Sequence, residues 1–273
     1  MTTWKGDGPQ DAPPPIRALT LLGWLRVVAR AVPLLAVLAI CFPLLLVLRL
    51  PERAIWGLNR PVTPFITQVV CIVVCRVLSL RRVVIGAPMV QRGAFVANHV
   101  SWLDIFVLNA AKRMYFVAKA EVRGWSGIGW LARGTGTLFI TRRPREARLQ
   151  QRLLEERLVA GHRLLFFPEG TSTDGGRVLP FKSTLFAAFF TDEMKDILYV
   201  QPISLRYRAP LGEDVRYFGW WGDMDFGPSL LKVLAGPAGG EVTVTYHAPL
   251  QVAAYADRKA LAAAAERAVR SGT

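Results

Sequence analysis

Three histidines occur in the 273-residue chain, and one of them stands where an acid–base pair could form. In the stretch NHVSWLDI (98–105), His99 lies five positions before Asp104. A carboxylate that accepts a hydrogen bond from the imidazole Nδ1–H fixes the tautomer and leaves Nε2 as a general base. No activated enzyme nucleophile adjoins His99, which favours a reaction in which a substrate hydroxyl attacks. The alternative interpretation is structural, with Ser101 placed to cap the following helix and a chance carboxylate beyond it.

Three further segments combine strand-like runs with polar ends. GTLFITRR (136–143) predicts a strand that ends at the adjacent arginines Arg142 and Arg143. LLFFPEGTSTDGG (164–176) predicts a buried strand and a tight turn, whose backbone N–H groups and hydroxyls could hold an anion or an oxyanion. YVQPISL (199–205) is another β-rich run. Taken singly, each segment is also explained as a strand with a turn or a basic end; the order and spacing of the whole set is what distinguishes this chain.

In this order the segments resemble the lysophospholipid acyltransferase family, which includes the 1-acylglycerol-3-phosphate acyltransferases. The family motif NHxSxxD is matched by Asn98, His99, Ser101 and Asp104, and the motif GxxFIxR by Gly136, Phe139, Ile140 and Arg142. The motif FPEGT is matched by Phe167, Pro168, Glu169, Gly170 and Thr171, and the family's proline after a β-branched run by Pro202. The resemblance implies that His99 deprotonates the acceptor hydroxyl, that Asp104 orients His99, and that the hydroxyl attacks an acyl thioester without an acyl-enzyme. It also implies that Arg142 and the Glu169-Gly170-Thr171 turn hold the polar head of the acceptor. We further expect contacts with the acceptor or the donor at Asn98, Ser101, Lys119, Gly136, Phe139, Pro168, Ser172, Asp174 and Pro202.

One departure from the family motif bears on the acceptor. Phosphate-using members commonly continue the third motif as EGTRS, whereas Ser172 stands here in place of that arginine. A neutral residue removes a charge-assisted partner for phosphate, and Asp174 nearby would repel phosphate and suit an amine. Four segments resemble the lyso-ornithine-lipid O-acyltransferase branch: this turn, the stretch LPFKSTLFAAF (179–189), the stretch FVAKAEVRGW (116–125), which contains Lys119, and the stretch WWGDMDF. The resemblance implies an aminolipid acceptor and an ornithine or glutamine lipid as product. Lysophosphatidic acid, alone or as a second acceptor, is the alternative.

The composition points to a membrane surface. A net charge of +14 indicates a polyanionic partner, which could be nucleic acid, an anionic membrane or an acidic carrier protein. A mean hydropathy of +0.30 favours the membrane, and no zinc finger, RNA-binding motif or basic helix supports nucleic acid. Acyl-carrier protein or acyl-coenzyme A would supply the acyl group as co-substrate, and we expect no cofactor and no metal site. A non-catalytic basic membrane adaptor on an inactivated enzyme fold is the rival class of protein.

The first part of the chain predicts a membrane anchor. Residues 1–16 are rich in glycine and proline, which is typical of a disordered tail. Residues 17–81 predict a helical hairpin, formed by 17–49 and 53–80, because two apolar runs are each bounded by arginines. We expect this hairpin to dip into one leaflet from the cytoplasmic side of the inner membrane, with the catalytic domain on that side. One spanning helix with a partner helix is the alternative.

From residue 82 to residue 273 the pattern predicts one α/β acyltransferase domain. Short β-branched or aromatic runs alternate with helical or loop segments, which indicates a mixed, largely parallel sheet flanked by helices. The predicted strands are 82–86, 93–97, 114–118, 136–141, 163–167, 198–205 and 241–247. The segments between and after them include 102–112, 144–160, 182–192, 228–235 and 256–270.

Overall fold

A computed structural model of the protein describes residues 3–15, 18–141, 145, 147–192 and 194–273. Within these residues the α-helices are α1 (Leu21–Trp56), α2 (Thr63–Val77), α3 (Asp104–Ala111), α4 (Ile128–Thr135), α5 (Ala147–Val159), α6 (Phe226–Ala235) and α7 (Arg258–Arg270). The strands are β1 (Arg81–Ile85), β2 (Gly93–Ala97), β3 (Tyr115–Lys119), β4 (Leu138–Ile140), β5 (Leu164–Phe166), β6 (Tyr199–Arg208), β7 (Glu241–Tyr246) and β8 (Leu250–Gln251). Short 3-10 helices cover Pro9–Asp11, Ala120–Gly124, Ser183–Phe189 and Val252–Ala254.

The strands form one mixed sheet in the order β1-β7-β6-β2-β5-β3-β4. Strand β8 pairs with the N-terminal end of β6. The run from β6 through β2, β5 and β3 to β4 is parallel throughout. Antiparallel pairing occurs where β6 meets β7 and β8. Helices cover both faces, so the predicted fold class, a largely parallel sheet flanked by helices, is confirmed.

The buried central strands alternate between two apolar layers. On β2, Phe95 and Ala97 contribute to a core shared with α2, α3 and α6. Their neighbours Ala94 and Val96 point to the opposite face and pack with α7 and the Ser183–Phe189 helix. This alternation follows from the two-residue period of a strand, and a parallel strand covered on both faces is apolar throughout. The core therefore holds β2 and its C-terminal end in a fixed position.

The long N-terminal helix α1 leaves most of its apolar surface uncovered. Its 36 residues correspond to about 54 Å at 1.5 Å per residue. Its most apolar 18-residue window has a mean hydropathy of 2.8 and is 6% buried. Within the described ranges, α1 alone is long and apolar enough to cross a membrane by length and composition.

The turn between α1 and α2 lies later than the sequence predicted. We expected it near residues 50–52, but α1 continues to Gly57, which ends the helix with a φ of 60° that favours glycine. The buried carboxylate of Glu52 then accepts hydrogen bonds from the N–H groups of Val62, at 2.7 Å, and Thr63, at 3.0 Å. These two N–H groups lie at the N-terminus of α2, so Glu52 of α1 caps the start of α2. A cap supplied across the turn explains why local sequence signals misplaced it.

The N-terminal segment, defined here as residues 3–15, contacts the α/β domain, whereas its composition is typical of a disordered tail. The carbonyl of Trp4 accepts a hydrogen bond from Gly222 N at 3.0 Å. Asp11 is 5% exposed, and its carbonyl accepts a hydrogen bond from Trp221 Nε1 at 2.9 Å. Composition suggested disorder because glycine and proline disfavour regular structure. Polar contacts with residues distant in sequence hold this segment against the domain instead.

Candidate active site

The candidate site lies at the carboxyl edge of the sheet, where adjacent parallel strands β2, β5 and β3 end on the same side. His99 follows β2, Phe167 follows β5, and Lys119 closes β3. Loops that leave neighbouring parallel strands converge at this edge, which is where α/β folds bind ligands. The fold therefore joins the first and third sequence motifs, although His99 and Glu169 are 70 positions apart.

The predicted contact between His99 and Asp104 is present. The imidazole Nδ1 lies 2.8 Å from Asp104 Oδ2. The Asp104 side chain is fully buried, whereas that of His99 is 19% exposed. Because Nδ1 is engaged by the carboxylate, Nε2 is the ring nitrogen left to meet a substrate. In the described part of the chain, no protein group forms a hydrogen bond with Nε2.

Asp104 is held by more donors than the imidazole alone. Its Oδ2 also accepts hydrogen bonds from Val100 N at 2.8 Å and Ser101 N at 3.0 Å. Its Oδ1 accepts one from the hydroxyl of Tyr207 at 2.8 Å. Four donors thus satisfy a carboxylate that has no access to water. Tyr207 is 103 positions away on β6, and the sequence analysis missed it because no spacing rule connects that strand with α3.

The imidazole is also fixed by the loop that follows β5. Its ring stacks on Phe167, with centroids 4.0 Å apart and planes at 11°. The backbone N–H of His99 donates to Glu169 Oε1 at 2.7 Å, and the His99 carbonyl accepts a hydrogen bond from Thr173 N at 2.9 Å. Ring and backbone contacts from one loop therefore set the direction of the imidazole.

Glu169 joins two loops through hydrogen bonds, whereas the resemblance implied a place at the acceptor head. It is 1% exposed, and its second oxygen, Oε2, accepts a hydrogen bond from Leu179 N at 2.7 Å. Burial raises the pKa of Glu169 to about 8, against the effect of the N–H groups of Leu179 and His99. A carboxyl that is enclosed and bonded on both oxygens supports the site from inside the fold.

Three other residues expected to bind substrate make contacts within the protein. Asn98 Nδ2 donates to the Leu205 carbonyl at 2.9 Å and Oδ1 accepts from Leu205 N at 2.7 Å, which continues the β2–β6 pairing beyond the strand. Ser101 is fully buried, and its hydroxyl accepts a hydrogen bond from Leu103 N at 3.3 Å rather than capping α3. Pro202 lies inside β6, buried in the sheet. The family motif thus contains residues that build the scaffold as well as residues that face the site.

The turn after β5 has the tight geometry that its sequence predicted. Gly170 has a φ of 70° and its N–H donates to the Phe167 carbonyl at 3.0 Å. The carbonyl of buried Pro168 accepts a hydrogen bond from Lys182 N at 3.0 Å. Thr171 Oγ1 accepts one from Trp4 N at 3.4 Å. Thr171 is therefore engaged by the N-terminal segment and by its own turn.

Asp174 is paired within the protein, whereas we expected it to contact an acceptor amine. Its Oδ1 accepts a hydrogen bond from Gly176 N at 3.0 Å, and Oδ2 lies 3.2 Å from Arg177 Nη2. Arg177 is also bonded to Asp7 and Asp11 of the N-terminal segment, each at 2.7 Å. Burial of Asp174 without Arg177 would leave an unpaired charge, so the arginine occupies the place we had assigned to an amine. Ser172 is buried in the same turn.

The second motif divides between the two ends of β4. Gly136 ends α4 in a left-handed conformation with a φ of 87°, and its carbonyl accepts a hydrogen bond from Arg157 at 3.1 Å. It precedes β4 and so lies at the opposite edge of the sheet from His99, and a binding role for it stays a prediction. Phe139 lies within β4, and Ile140 pairs in register with Lys119 at the carboxyl edge. Arg142 falls outside the described residues.

Known proteins resemble this chain in sequence and in fold. A family model described as Acyltransferase matches residues 81–206. A lyso-ornithine lipid O-acyltransferase from Rhodobacter capsulatus is 54% identical over 269 residues, which cover 98% of this chain and 96% of the relative. A relative of the same name from Brucella abortus is 38% identical over 68% of this chain and 71% of its own. The crystal structure of a 1-acyl-sn-glycerophosphate acyltransferase from Thermotoga maritima shares the fold, with a TM-score of 0.62 and 22% identity over 92% of this chain and 94% of that one.

The sequence left open whether the protein is an enzyme or an adaptor. Similarity to the Rhodobacter capsulatus relative over nearly the full length of both chains decides for the enzyme. The relatives are named as acyltransferases, and the described residues keep the His99–Asp104 contact intact. The prediction of a transferase is confirmed. The chain belongs to the acyltransferase family, in the group that includes the lyso-ornithine lipid O-acyltransferases.

Proposed function

We propose that this enzyme esterifies the 3-hydroxyl of a lyso-aminolipid, either lyso-ornithine or lyso-glutamine lipid, with a fatty acyl group from acyl-carrier protein or acyl-coenzyme A. The observation that carries the chemistry is the His99–Asp104 pair, with Nδ1 held at 2.8 Å and Nε2 unbonded among the described residues. The acceptor class rests on two supports, the names of the relatives and the neutral residue Ser172 at the position where phosphate-using members carry arginine.

In the proposed mechanism His99 acts as base and then as acid. Nε2 removes the proton of the lipid hydroxyl while that oxygen attacks the carbonyl carbon of the thioester. The C–S bond then breaks, and the departing sulfur takes the proton back from His99. Asp104 stabilises the imidazolium that forms between the two steps. An acyl-enzyme has no support at Ser101, because the hydroxyl nearest in sequence to His99 is fully buried.

A membrane anchor suits an acceptor and a product that are lipids. Apolar side chains along α1 are exposed, among them Val32, Leu35 and Ile40. Both helices contact the catalytic domain, α1 through α6 and α2 through α3, but among the described residues only α1 is long and apolar enough to cross a bilayer. We therefore assign insertion into the bilayer to α1, with the site on the cytoplasmic face of the inner membrane where the thioester donors occur.

The direct test is an acyl-transfer assay that offers lyso-ornithine lipid and lysophosphatidic acid side by side, each with both thioester donors. The proposal predicts a larger kcat/KM for the aminolipid. A larger kcat/KM for lysophosphatidic acid would instead support a 1-acyl-sn-glycerol-3-phosphate acyltransferase, the activity named for the Thermotoga maritima relative in fold.

Substitution of Ser172 tests the basis of acceptor choice. Ser172→Arg should raise the relative use of lysophosphatidic acid, because a guanidinium forms charge-assisted hydrogen bonds with phosphate. Ser172→Gln is the matched control, since it also adds length at this buried position but no charge. An equal change in acceptor ratio for both variants would mean that size, and not charge, sets the preference.

A further inference from the structure

The strand β6 delivers a phenol to the catalytic carboxylate from outside the sequence motifs. Tyr207 lies on the same face of β6 as Ile203 and Leu205, and its ring packs against Phe218 with centroids 5.4 Å apart. Its hydroxyl donates to Asp104 Oδ1 at 2.8 Å. Two hydrogen bonds between the Asn98 side chain and the Leu205 backbone fix β6 to the end of β2, two residues before Tyr207. The position of the phenol is therefore built into the sheet.

We propose that Tyr207 is a positioning residue for the His99–Asp104 pair, which sets the orientation and the hydrogen-bond strength of Asp104. This inference rests on the general-base mechanism proposed above. The two oxygens of Asp104 have separate partners: Oδ2 meets the imidazole at 2.8 Å, and Oδ1 meets Tyr207 at the same distance. A donor on Oδ1 restricts rotation of the carboxylate. It also withdraws part of the negative charge that would otherwise stabilise the imidazolium.

The phenol is suited to remain a donor throughout turnover. Burial, together with the charge of Asp104, raises the pKa of Tyr207 well above its ordinary value of 10. The other titratable groups near this pair are Glu169, across the His99 backbone, and the thiol of Cys75 on α2. Because burial raises the pKa of Glu169 to about 8, its ionisation affects the alkaline side of a pH profile. The acid side reports the protonation of the general base.

Tyr207→Phe removes the hydroxyl and keeps the ring that packs on Phe218. Without that donor the carboxylate holds the imidazolium more tightly, so the base is protonated at higher pH. We expect the acid limb of kcat/KM to move upward by about one pH unit, which lowers activity by up to about tenfold on the acid side of the limb and allows recovery at higher pH. The KM for the lipid acceptor should not change, because Tyr207 touches Asp104 and not the acceptor.

Tyr217→Phe is the matched control. It also removes a buried phenol, whose hydroxyl donates to the Lys232 carbonyl at 2.8 Å, but it does not touch the pair. Its acid limb should coincide with that of the unmodified enzyme. A loss for Tyr207→Phe by one constant factor at every pH, or no loss, would overturn the proposal, because a merely structural residue changes the active fraction and not the limb.

A second measurement decides the case if Tyr207→Phe does not fold. Replacement of Tyr207 by 3-fluorotyrosine retains the ring and makes the phenol a stronger hydrogen-bond donor. The acid limb should then move to lower pH, opposite to the phenylalanine variant, and an unmoved limb would contradict the proposal. His99→Ala separates the two levels of inference. If His99→Ala keeps full activity, the general-base mechanism fails. If His99→Ala is inactive but the changes at Tyr207 leave the acid limb unmoved, only the role of Tyr207 is rejected.

Discussion

At the scale of single residues, two buried carboxyl groups of the site perform different tasks. Asp104 faces the imidazole and has hydrogen-bond donors on both oxygens. Glu169 faces the backbone of His99 and Leu179 and joins the two loops that bear them. Exposure does not distinguish them, since both are almost inaccessible to water. Their hydrogen-bond partners do, and these place Asp104 in the chemistry and Glu169 in the scaffold.

The raised pKa of Glu169 predicts how stability depends on pH. Its pKa in the folded protein is about 8, above the ordinary value of 4.5, so the folded state holds a proton that the unfolded state has lost between these values. The contribution of Glu169 is therefore greatest below about pH 4.5, falls as pH rises, and levels off above about pH 8. Thermal unfolding between pH 6 and pH 8 should show a falling Tm for the unmodified enzyme. In Glu169→Gln, which cannot ionise, that decline should be smaller, and equal slopes would contradict this pKa.

Residue types and spacing predicted the His99–Asp104 contact but not the orientation of its neighbours. His99 and Asp104 are close in sequence, so a local turn brings them together. Asn98 and Ser101 carry polar groups that could equally face a ligand or the backbone. Only packing against β6 and the start of α3 shows that they face inward. The Tyr207 contact depends on strand pairing and had no local signal.

At the scale of elements, the strands follow their sequence pattern closely and one helix does not. The predicted strand 93–97 is β2 without change, because apolar residues bounded by turn residues define it. Helix α4 was missed because glycines occur within it, which lowers helix propensity. Tertiary contacts require them: a Cβ at Gly129 would lie 2.2 Å from the Arg123 carbonyl oxygen, and one at Gly134 would lie 2.6 Å from the ring of Phe42. Close packing overrides propensity here.

The N-terminal segment gives a prediction that belongs to this scale. Asp11 pairs with Arg177 of the turn that carries Ser172, and so braces that turn from outside. Asp11→Ala should therefore raise the KM for the lipid acceptor several-fold and leave kcat nearly unchanged, as measured by steady-state kinetics. Lys5→Ala removes an ion pair from the same segment, but that pair with Asp223 is largely exposed and should have little effect. Equal KM values for the two variants would show that the segment does not influence the acceptor site.

At the scale of the whole molecule, charge and apolar surface both suit a lipid bilayer. The net charge of +14 attracts anionic headgroups, and α1 exposes a continuous apolar length to insert among acyl chains. Sequence composition predicted this association. The depth of insertion depends on which helix faces lipid, and the length and exposed apolar surface of α1 make it the inserted element in our proposal.

The anchor can be tested without disturbing the site. Ile40 is 68% exposed near the middle of α1, where a charge inside a bilayer costs about 2.5–3.5 kcal/mol. Ile40→Asp should therefore reduce the fraction of enzyme that sediments with membranes. Val215→Asp is the control, because Val215 is 83% exposed on the catalytic domain. Equal membrane recovery of the two variants would argue against α1 as the anchor.

The central claim is that His99, oriented by Asp104, is the base that activates the lipid hydroxyl. The most direct measurement is the rate of acyl transfer to lyso-ornithine lipid by purified His99→Ala enzyme, with membrane binding and Tm measured in parallel. We expect the rate to fall by about 10²- to 10⁴-fold while binding and folding are retained. A folded, membrane-bound His99→Ala enzyme that still transfers acyl groups at close to the normal rate would contradict the account.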